Sequence, residues 1–226
     1  VDHVLWGDPD ESFTFASTQI ALQAGATCDL VSISFGSRIT RHLYRVDLLG
    51  EGGSAELAGT EAVGGDREFH KHITVHHRAP RGHSNQHFKT ILGQQANASY
   101  DGAILVDEVA QKTDAFQLGG NLMLSDEAKA HVKPSLYIHA DDVKCSHGGT
   151  CGQLEEEELH YIQTRGISRA EARRLMITAF AIEVLDRIRL DAVREECVRR
   201  LRDRLVGLDE AGTVGLSARR NRAKKK

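Results

Sequence analysis

The sequence predicts a mainly β fold followed by a small helical region, and two features of the 226-residue chain carry this prediction. Up to residue 152, short runs that alternate apolar and polar residues are separated by glycine-containing turns. Beyond residue 152, the spacing of apolar residues becomes that of amphipathic helices. Aromatic residues make up only 5% of the chain, whereas glycine occurs 21 times, which suits an architecture with many tight turns.

The predicted strands alternate with period two, so one face of each strand should be buried. The alternating apolar positions are Tyr44, Val46 and Leu48; Ile73 and Val75; Ile104 and Val106; Leu122 and Leu124; Leu136 and Ile138. Strand centres recur at intervals of roughly fifteen residues, and no helical segment lies between them. This spacing is typical of a sandwich, a barrel or a β-solenoid, and periodicity alone does not choose between them.

The C-terminal part predicts helices that pack on the end of the β domain. Acidic residues from Glu155 to Glu158 suit a first turn, and Gly166 suits the end of that helix. Ser168 and Glu171 form a capping box for the next helix, whose apolar stripe either packs on the core or docks a partner. We therefore divide the chain into a β core at 1–152, a helical domain at 153–206 and a disordered basic tail at 207–226.

Composition narrows the class of protein. An overall pI of about 6.5 argues against a dedicated nucleic-acid binder, and no apolar run is long enough to span a membrane. None of the four cysteines forms a C-x-x-C pair, which disfavours a structural zinc site, and four are too few for a disulfide framework in a chain of this length. They are Cys28, Cys145, Cys151 and Cys197. This use of cysteine is most consistent with a protein of the reducing cytoplasm.

Other motifs are absent from the sequence. It contains no phosphate-binding loop and no G-x-S-x-G elbow, so we expect no nucleotide on this chain and no catalytic turnover. The chain begins Val1-Asp2-His3 without an initiator methionine, and we expect an N-terminal region to be missing.

A cluster of histidines is the first candidate for metal binding. It comprises His70, His72, His76, His77, His83 and His87. Imidazole is a common ligand of transition metals, and three of these residues have the parity of one strand face. A polar strand face or a ladder of stacked imidazoles is the alternative interpretation, and the sequence leaves both open.

A second candidate site is Cys145-x-His147, with Cys151 nearby. Thiolate and imidazole are ligands of iron–sulfur clusters. The two-residue spacing places Cys145 and His147 on one strand face or on one side of a tight turn. Gly148 and Gly149 could let another backbone approach closely. From chemistry alone, a structural and a functional role for the pair are equally open.

Several short sequence motifs resemble those of a known protein family. The segment Ala140-Asp141-Asp142-Val143-Lys144-Cys145-Ser146-His147-Gly148-Gly149-Thr150 resembles the SufB/SufD family of iron–sulfur cluster assembly scaffolds, and within it the SufD branch. Other segments also resemble this family: Ala110-Gln111-Lys112-Thr113-Asp114, Asn121-Leu122-Met123-Leu124-Ser125-Asp126, Lys133-Pro134-Ser135-Leu136, Gly152-Gln153-Leu154, Tyr161 and Arg165-Gly166-Ile167. The resemblance covers residues 43–190. The sequence departs from the family at Cys151, where such chains commonly have Val, and we expect the family's N-terminal helical region to be missing.

The resemblance implies a right-handed parallel β-helix core with a small C-terminal helical domain. It implies pairing with SufB through the β-helix and binding of the SufC ATPase through the helices, with candidate contacts between Glu155 and Arg189. The complex would assemble a transient iron–sulfur cluster. His147 matches the family histidine at the SufB–SufD interface, with Cys145 beside it, so these two are the expected ligands. The alternatives are a SufB-like subunit, a β-helical metal-binding protein that uses the histidine cluster, a purely structural module, and a homodimer of the isolated chain.

Overall fold

The structure, a computed structural model, describes residues 12–223, which form ten strands and three helices. The strands are β1 (Phe13–Leu22), β2 (Thr27–Ser34), β3 (Ile39–Leu48), β4 (Ser54–Val63), β5 (Glu68–His77), β6 (His83–Leu92), β7 (Asn97–Val106), β8 (Asp114–Met123), β9 (Lys129–Ile138) and β10 (Lys144–Gly152). The helices are α1 (Glu156–Gln163), α2 (Arg169–Leu185) and α3 (Asp191–Ala223).

The strands form a parallel β-solenoid of about five turns, which confirms the predicted β-helix. Odd-numbered strands form one sheet in the order β1-β3-β5-β7-β9, and even-numbered strands form the other in the order β10-β8-β6-β4-β2. All eight pairings are parallel and in register, so Val46 lies beside Val75 and Val75 beside Ile104. Residues at equivalent positions of successive coils therefore lie next to one another and form columns.

Inward-facing residues of the two sheets form the core between them. Val46, Val75 and Ile104 occupy one column, and each is fully buried. Burying a side chain of this size contributes about 1.5–3 kcal/mol. The predicted pattern holds through the middle coils but changes at β9, where Leu136 is half-buried and Ile138 is 37% exposed. The reason is position, because β9 is the last strand of its sheet and no described coil covers it.

The helices pack on the flank of the solenoid and not on its end. Val31, Ala58 and Ile91 on the outer face of the second sheet form one apolar cluster with Ile177 and Val184 of α2. The predicted cap of α2 is present, since the Ser168 side chain accepts a hydrogen bond from the backbone N–H of Glu171 at 3.3 Å. Gly166 has a φ of +84° just after α1, a conformation that glycine adopts readily.

Polar contacts fasten the helices to the same flank. Lys89 of β6 pairs with Glu183 of α2, and its ammonium lies 4.6 Å from the centroid of the Phe180 ring. Arg187, which follows α2, reaches Glu56 of β4 at 2.9 Å. These contacts tie the C-terminal part of α2 to the middle coils.

The helix α3 continues through most of the segment for which the sequence predicts a disordered basic tail; residues 224–226 lie outside the described part. The domain boundaries stay a prediction. Within the described part of the chain, no helix has both the length and the apolar character needed to cross a bilayer.

One buried histidine gives the fold a testable pH dependence. Nε2 of His77 lies inside the solenoid, 2.8 Å from the hydroxyl of Ser84, and burial is the main reason that the pKa of His77 falls to about 4. In the unfolded chain its pKa is near 6.5, so acidification protonates the unfolded state first. The contribution of neutral His77 to the free energy of unfolding is thus fully present above pH 6.5. As the pH falls towards 4, about 3 kcal/mol of that free energy is lost.

We expect urea unfolding at several pH values between 7 and 4 to show this loss. The variant His77→Gln keeps a hydrogen-bonding side chain but does not titrate, so its unfolding free energy should fall less steeply over the same window. Equal pH slopes for the variant and the unaltered chain would contradict this assignment.

Candidate functional site

The solenoid ends in an uncovered coil. Strand β9 pairs only with β7, and β10 only with β8, among the strands that the structure describes. The outer edges of both strands therefore present unpaired backbone groups, which usually invite pairing or are shielded. Large apolar side chains lie exposed on these last coils: Phe116 at 39%, Leu118 at 43%, Tyr137 at 54% and Ile138 at 37%. This end has the character of a surface that another chain covers.

His147 and Cys145 lie at this end, on the same side of β10. His147 is in register with Gln117 of β8, which is in register with Gln86 of β6, and both glutamines are buried inside the solenoid. His147 thus has the inward orientation of its column, yet it is exposed because β10 is the last strand of its sheet. The imidazole therefore lies at the uncovered end of the solenoid, on the edge strand of the second sheet.

Cys145 is less accessible than His147. It is half-buried and packs with Leu136 and Val143 beside the small cluster around Ala115. Burial raises the pKa of the Cys145 thiol, and the charge of Asp114 raises it further. The thiol therefore stays protonated at neutral pH, and binding a metal through it requires loss of that proton. Of the two predicted ligands, His147 is the more exposed.

Cys151 does not join this pair. It lies on β10, exposed, four residues beyond His147 and six beyond Cys145. At about 3.3 Å per residue in a parallel strand, these intervals correspond to roughly 13 Å and 20 Å, which is too far for one shared metal ion. Its Sγ instead accepts a hydrogen bond from Nδ2 of the buried Asn121 at 3.5 Å.

The two glycines after His147 have a packing role within the chain. A Cβ on Gly149 would lie 2.7 Å from Cγ1 of Val132, which crosses the interior from β9. A Cβ on Gly148 would lie 3.2 Å from the exposed Leu118. Gly149 therefore lets the two sheets approach one another at the last coil, and Gly148 makes room for Leu118 of the neighbouring strand β8. The approach that these glycines permit is that of this chain's own side chains.

The sequence analysis did not find the polar column beneath His147. The Tyr100 hydroxyl donates a hydrogen bond to Oε1 of Gln86 at 3.1 Å. Gln117 lies across Gly102, where a Cβ would be only 1.8 Å from its Nε2, so this glycine makes room for the amide. An alignment of successive coils would have found the signal, because polar residues recur at one inward position.

A buried ion pair was also missed. Lys71 of β5 and Glu61 of β4 meet inside the solenoid, both almost completely buried. Burial raises the pKa of Glu61 and lowers that of Lys71, and the opposite charge of each opposes the effect on the other. Thr90 donates a hydrogen bond to Glu61 at 3.1 Å, and the Lys71 ammonium lies 3.8 Å from the centroid of the Phe88 ring.

The histidine cluster separates into three places. His70, His72 and His76 share the outer face of β5, as their parity predicts, whereas His77 points inward. The other two, His83 and His87, lie on the outer face of β6 in the second sheet.

Carboxylates or hydroxyls on nearby strands engage the outer-face histidines. His76 lies 2.8 Å from Asp107, and His70 lies 2.7 Å from the hydroxyl of Ser99. Within residues 12–223, no group of three or more histidine, cysteine or acidic side chains is arranged to hold a metal ion.

Comparison with known proteins gives a consistent family. The model for the SUF system FeS cluster assembly, SufBD core domain, matches residues 4–180. An iron–sulfur cluster assembly SufBD family protein of Synechocystis is 37% identical over 84% of this chain and 43% of its own length. The chloroplastic protein ABCI7 of Arabidopsis thaliana is 36% identical over 79% of this chain and 38% of its own length. The iron–sulfur cluster assembly protein SufD of Escherichia coli is 31% identical over 87% of this chain and 46% of its own length.

The chain thus spans less than half the length of each of these relatives. The matched region includes the whole solenoid described above and most of α2. With its parallel β-solenoid and its matching core domain, the chain belongs to the SufB/SufD family of SUF iron–sulfur cluster assembly proteins and is SufD-like.

Proposed function

We propose that this chain is a non-catalytic scaffold subunit that pairs with a SufB subunit through the open end of its solenoid and binds the SufC ATPase through its helices. The observation that carries the proposal is the uncovered last coil with an exposed, inward-oriented His147 at its mouth. A ligand in this position is usable only when a second surface completes the site.

The open end fits a partner built in the same way. The outer edges of both strands of this coil have no strand partner in the described chain. Apolar side chains that would be interior in a longer solenoid, such as Val132 and Leu136, are only partly covered. Covering them by another sheet would satisfy backbone groups and remove apolar area from water. A SufB subunit is the proposed occupant, and a second copy of this chain is the alternative.

His147 would then supply one ligand of a transient iron–sulfur cluster. Imidazole binds iron without first losing a proton when it is neutral, whereas a protonated thiol must lose one. Cys145 lies two residues away on the same side of the strand, about 6.6 Å along it, so it could follow as a second ligand. SufB would supply the remaining ligands, and the cluster is cargo in this proposal, not a resident cofactor.

The helices provide the second proposed interface. Exposed apolar side chains on α1 and α2 include Tyr161 at 60% and Leu175 at 50%. They lie within the range from Glu155 to Arg189 that the family resemblance assigns to SufC. Because α2 is fastened to the middle coils through Glu183 and Arg187, movement of a bound ATPase would be passed to the sheets. The four free thiols favour a reducing compartment such as the cytoplasm.

Co-purification with SufB and SufC tests the proposal. Ile138→Glu places a charge at the open end, and we expect it to weaken SufB binding at least tenfold while SufC binding is unchanged. Phe15→Glu on β1 is the matched control, since Phe15 is 69% exposed at the opposite end of the solenoid. The proposal is wrong if the unaltered chain binds neither partner, or if the two variants weaken SufB binding equally.

A further inference from the structure

A groove lies behind the open edge of β10, between that strand and α2. It measures about 400 Å³, within the size range of protein sites that hold a ligand or an inserted side chain. It is lined by strands β8 and β10, the short segment that leads into α1, the first turn of α1, and α2. We call this the β10–α2 groove, and the site built on His147 does not use it.

The floor and the rim of the β10–α2 groove differ in chemistry. Apolar side chains of β8 and α2, such as Leu122, Met176 and Phe180, form the floor. Two exposed carboxylates, Glu155 and Glu158, stand at the rim where α1 begins. By contrast, Glu156 between them in sequence pairs with Arg169 at 2.6 Å. An apolar floor with a negatively charged rim suits a side chain with an apolar stem and a cationic head.

No lysine or arginine is among the described residues that line the groove. Lys89 approaches the groove from β6, with its ammonium 4.6 Å from the Phe180 ring centroid. Its charge is already matched, because Lys89 pairs with Glu183. The groove therefore presents negative potential to whatever approaches β10.

Position connects the groove to the open end. Thr150, Cys151 and Gly152 line it, and they belong to the strand that carries His147. A chain that pairs with the free edge of β10 would pass beside these three residues. The partner that covers His147 is thus within reach of the groove.

We propose that the β10–α2 groove receives a lysine or arginine side chain from the subunit that covers the open end. This inference rests on the proposed function and adds an anchor to it. The cationic head lies at the carboxylates of Glu155 and Glu158, and its apolar stem lies on the floor formed by Met176 and Phe180. The anchor sits against α2, so partner binding at β10 and the position of the helices become linked.

Charge reversal tests the anchor in a complex of the full chain with SufB. We expect Glu155→Lys with Glu158→Lys to weaken binding at least tenfold, and Glu155→Gln with Glu158→Gln to weaken it less and to reduce its dependence on salt. Glu157→Lys is the matched control, because Glu157 is exposed in the same helical turn and reversal there opposes the helix dipole equally, but it does not line the groove. It should bind as the unaltered chain does.

The Cys151 thiol reports on occupancy independently of affinity. In a Cys145→Ser background, Cys151 is the exposed cysteine of the described chain, since Cys28 and Cys197 are buried. We expect its alkylation by N-ethylmaleimide to slow at least tenfold in the complex. If SufB binds but alkylation is as fast as in the free chain, or charge reversal leaves the affinity within twofold, the groove is empty and the anchor is wrong. If SufB does not bind the unaltered chain at all, the proposed function fails, and the anchor fails with it.

Discussion

His147→Ala is expected to abolish iron–sulfur cluster assembly by the complex while leaving the fold and the pairing of the chain intact. The side chain is exposed on β10, so its removal should change the unfolding free energy by no more than about 0.5 kcal/mol. Loss of a ligand has a much larger effect, and we expect the yield of assembled cluster to fall by more than about a hundredfold. The measurement is reconstitution of cluster on the purified complex, followed by absorbance and by iron and sulfide content.

Two variants serve as comparisons for His147→Ala. His131→Ala removes an exposed imidazole from the same coil, but from the outer face of β9, and should assemble cluster normally. Cys145→Ser should cause a smaller loss than His147→Ala, because burial already holds that thiol in its protonated form. Normal assembly by His147→Ala would show that the imidazole is not a ligand, whatever the other variants do.

The second large effect concerns stability. Lys71→Met or Glu61→Leu alone should each destabilise the chain by about 3–5 kcal/mol, because each leaves the polar partner buried without its counterpart. The double variant Lys71→Met with Glu61→Leu should recover most of that loss, since apolar side chains suit the interior. For Lys71→Met, the destabilisation should shrink on acidification. Burial raises the pKa of the Glu61 carboxyl, and without Lys71 nothing of opposite charge lowers it, so the folded state gains stability by taking up a proton as the pH falls.

Urea unfolding of the four chains at pH 7 measures this coupling as a double-mutant cycle. The control is Arg169→Met, which breaks the exposed pair with Glu156 and should leave the unfolding midpoint unchanged within error. Single variants at Lys71 and Glu61 that unfold at the midpoint of the unaltered chain would show that the buried pair contributes nothing to stability.

Periodicity predicted the middle of the solenoid because its rules are local. Val46, Val75 and Ile104 alternate with polar neighbours in β3, β5 and β7, and each is buried as expected. The same rule misses where the solenoid stops, so Ile138 has the pattern of a core residue but lies partly exposed in the last coil. Strand β10 has few large apolar side chains, and only the family resemblance and the spacing of Cys145 and His147 pointed to it.

Contacts between the two sheets could not be predicted in the same way. Parity places Lys71 and Glu61 inward on their strands, but it does not give the register of one sheet across from the other. The same limit applies to the histidine cluster, in which neighbours in sequence are sent to different sheets or to opposite faces. Packing of the helices on the flank also depends on the apolar outer positions of β2, β4 and β6, which break strict alternation.

Amide hydrogen exchange, compared between the free chain and its complex with SufB, tests the central claim most directly. The edge of β10 should exchange readily in the free chain, and if a second sheet covers it, the amides from Lys144 to Gly152 should become strongly protected on binding. Amides of β1, at the far end of the solenoid, should change little. A complex in which β10 exchanges as fast as before, with protection appearing elsewhere, would contradict the claim that this open end is the scaffold's working surface.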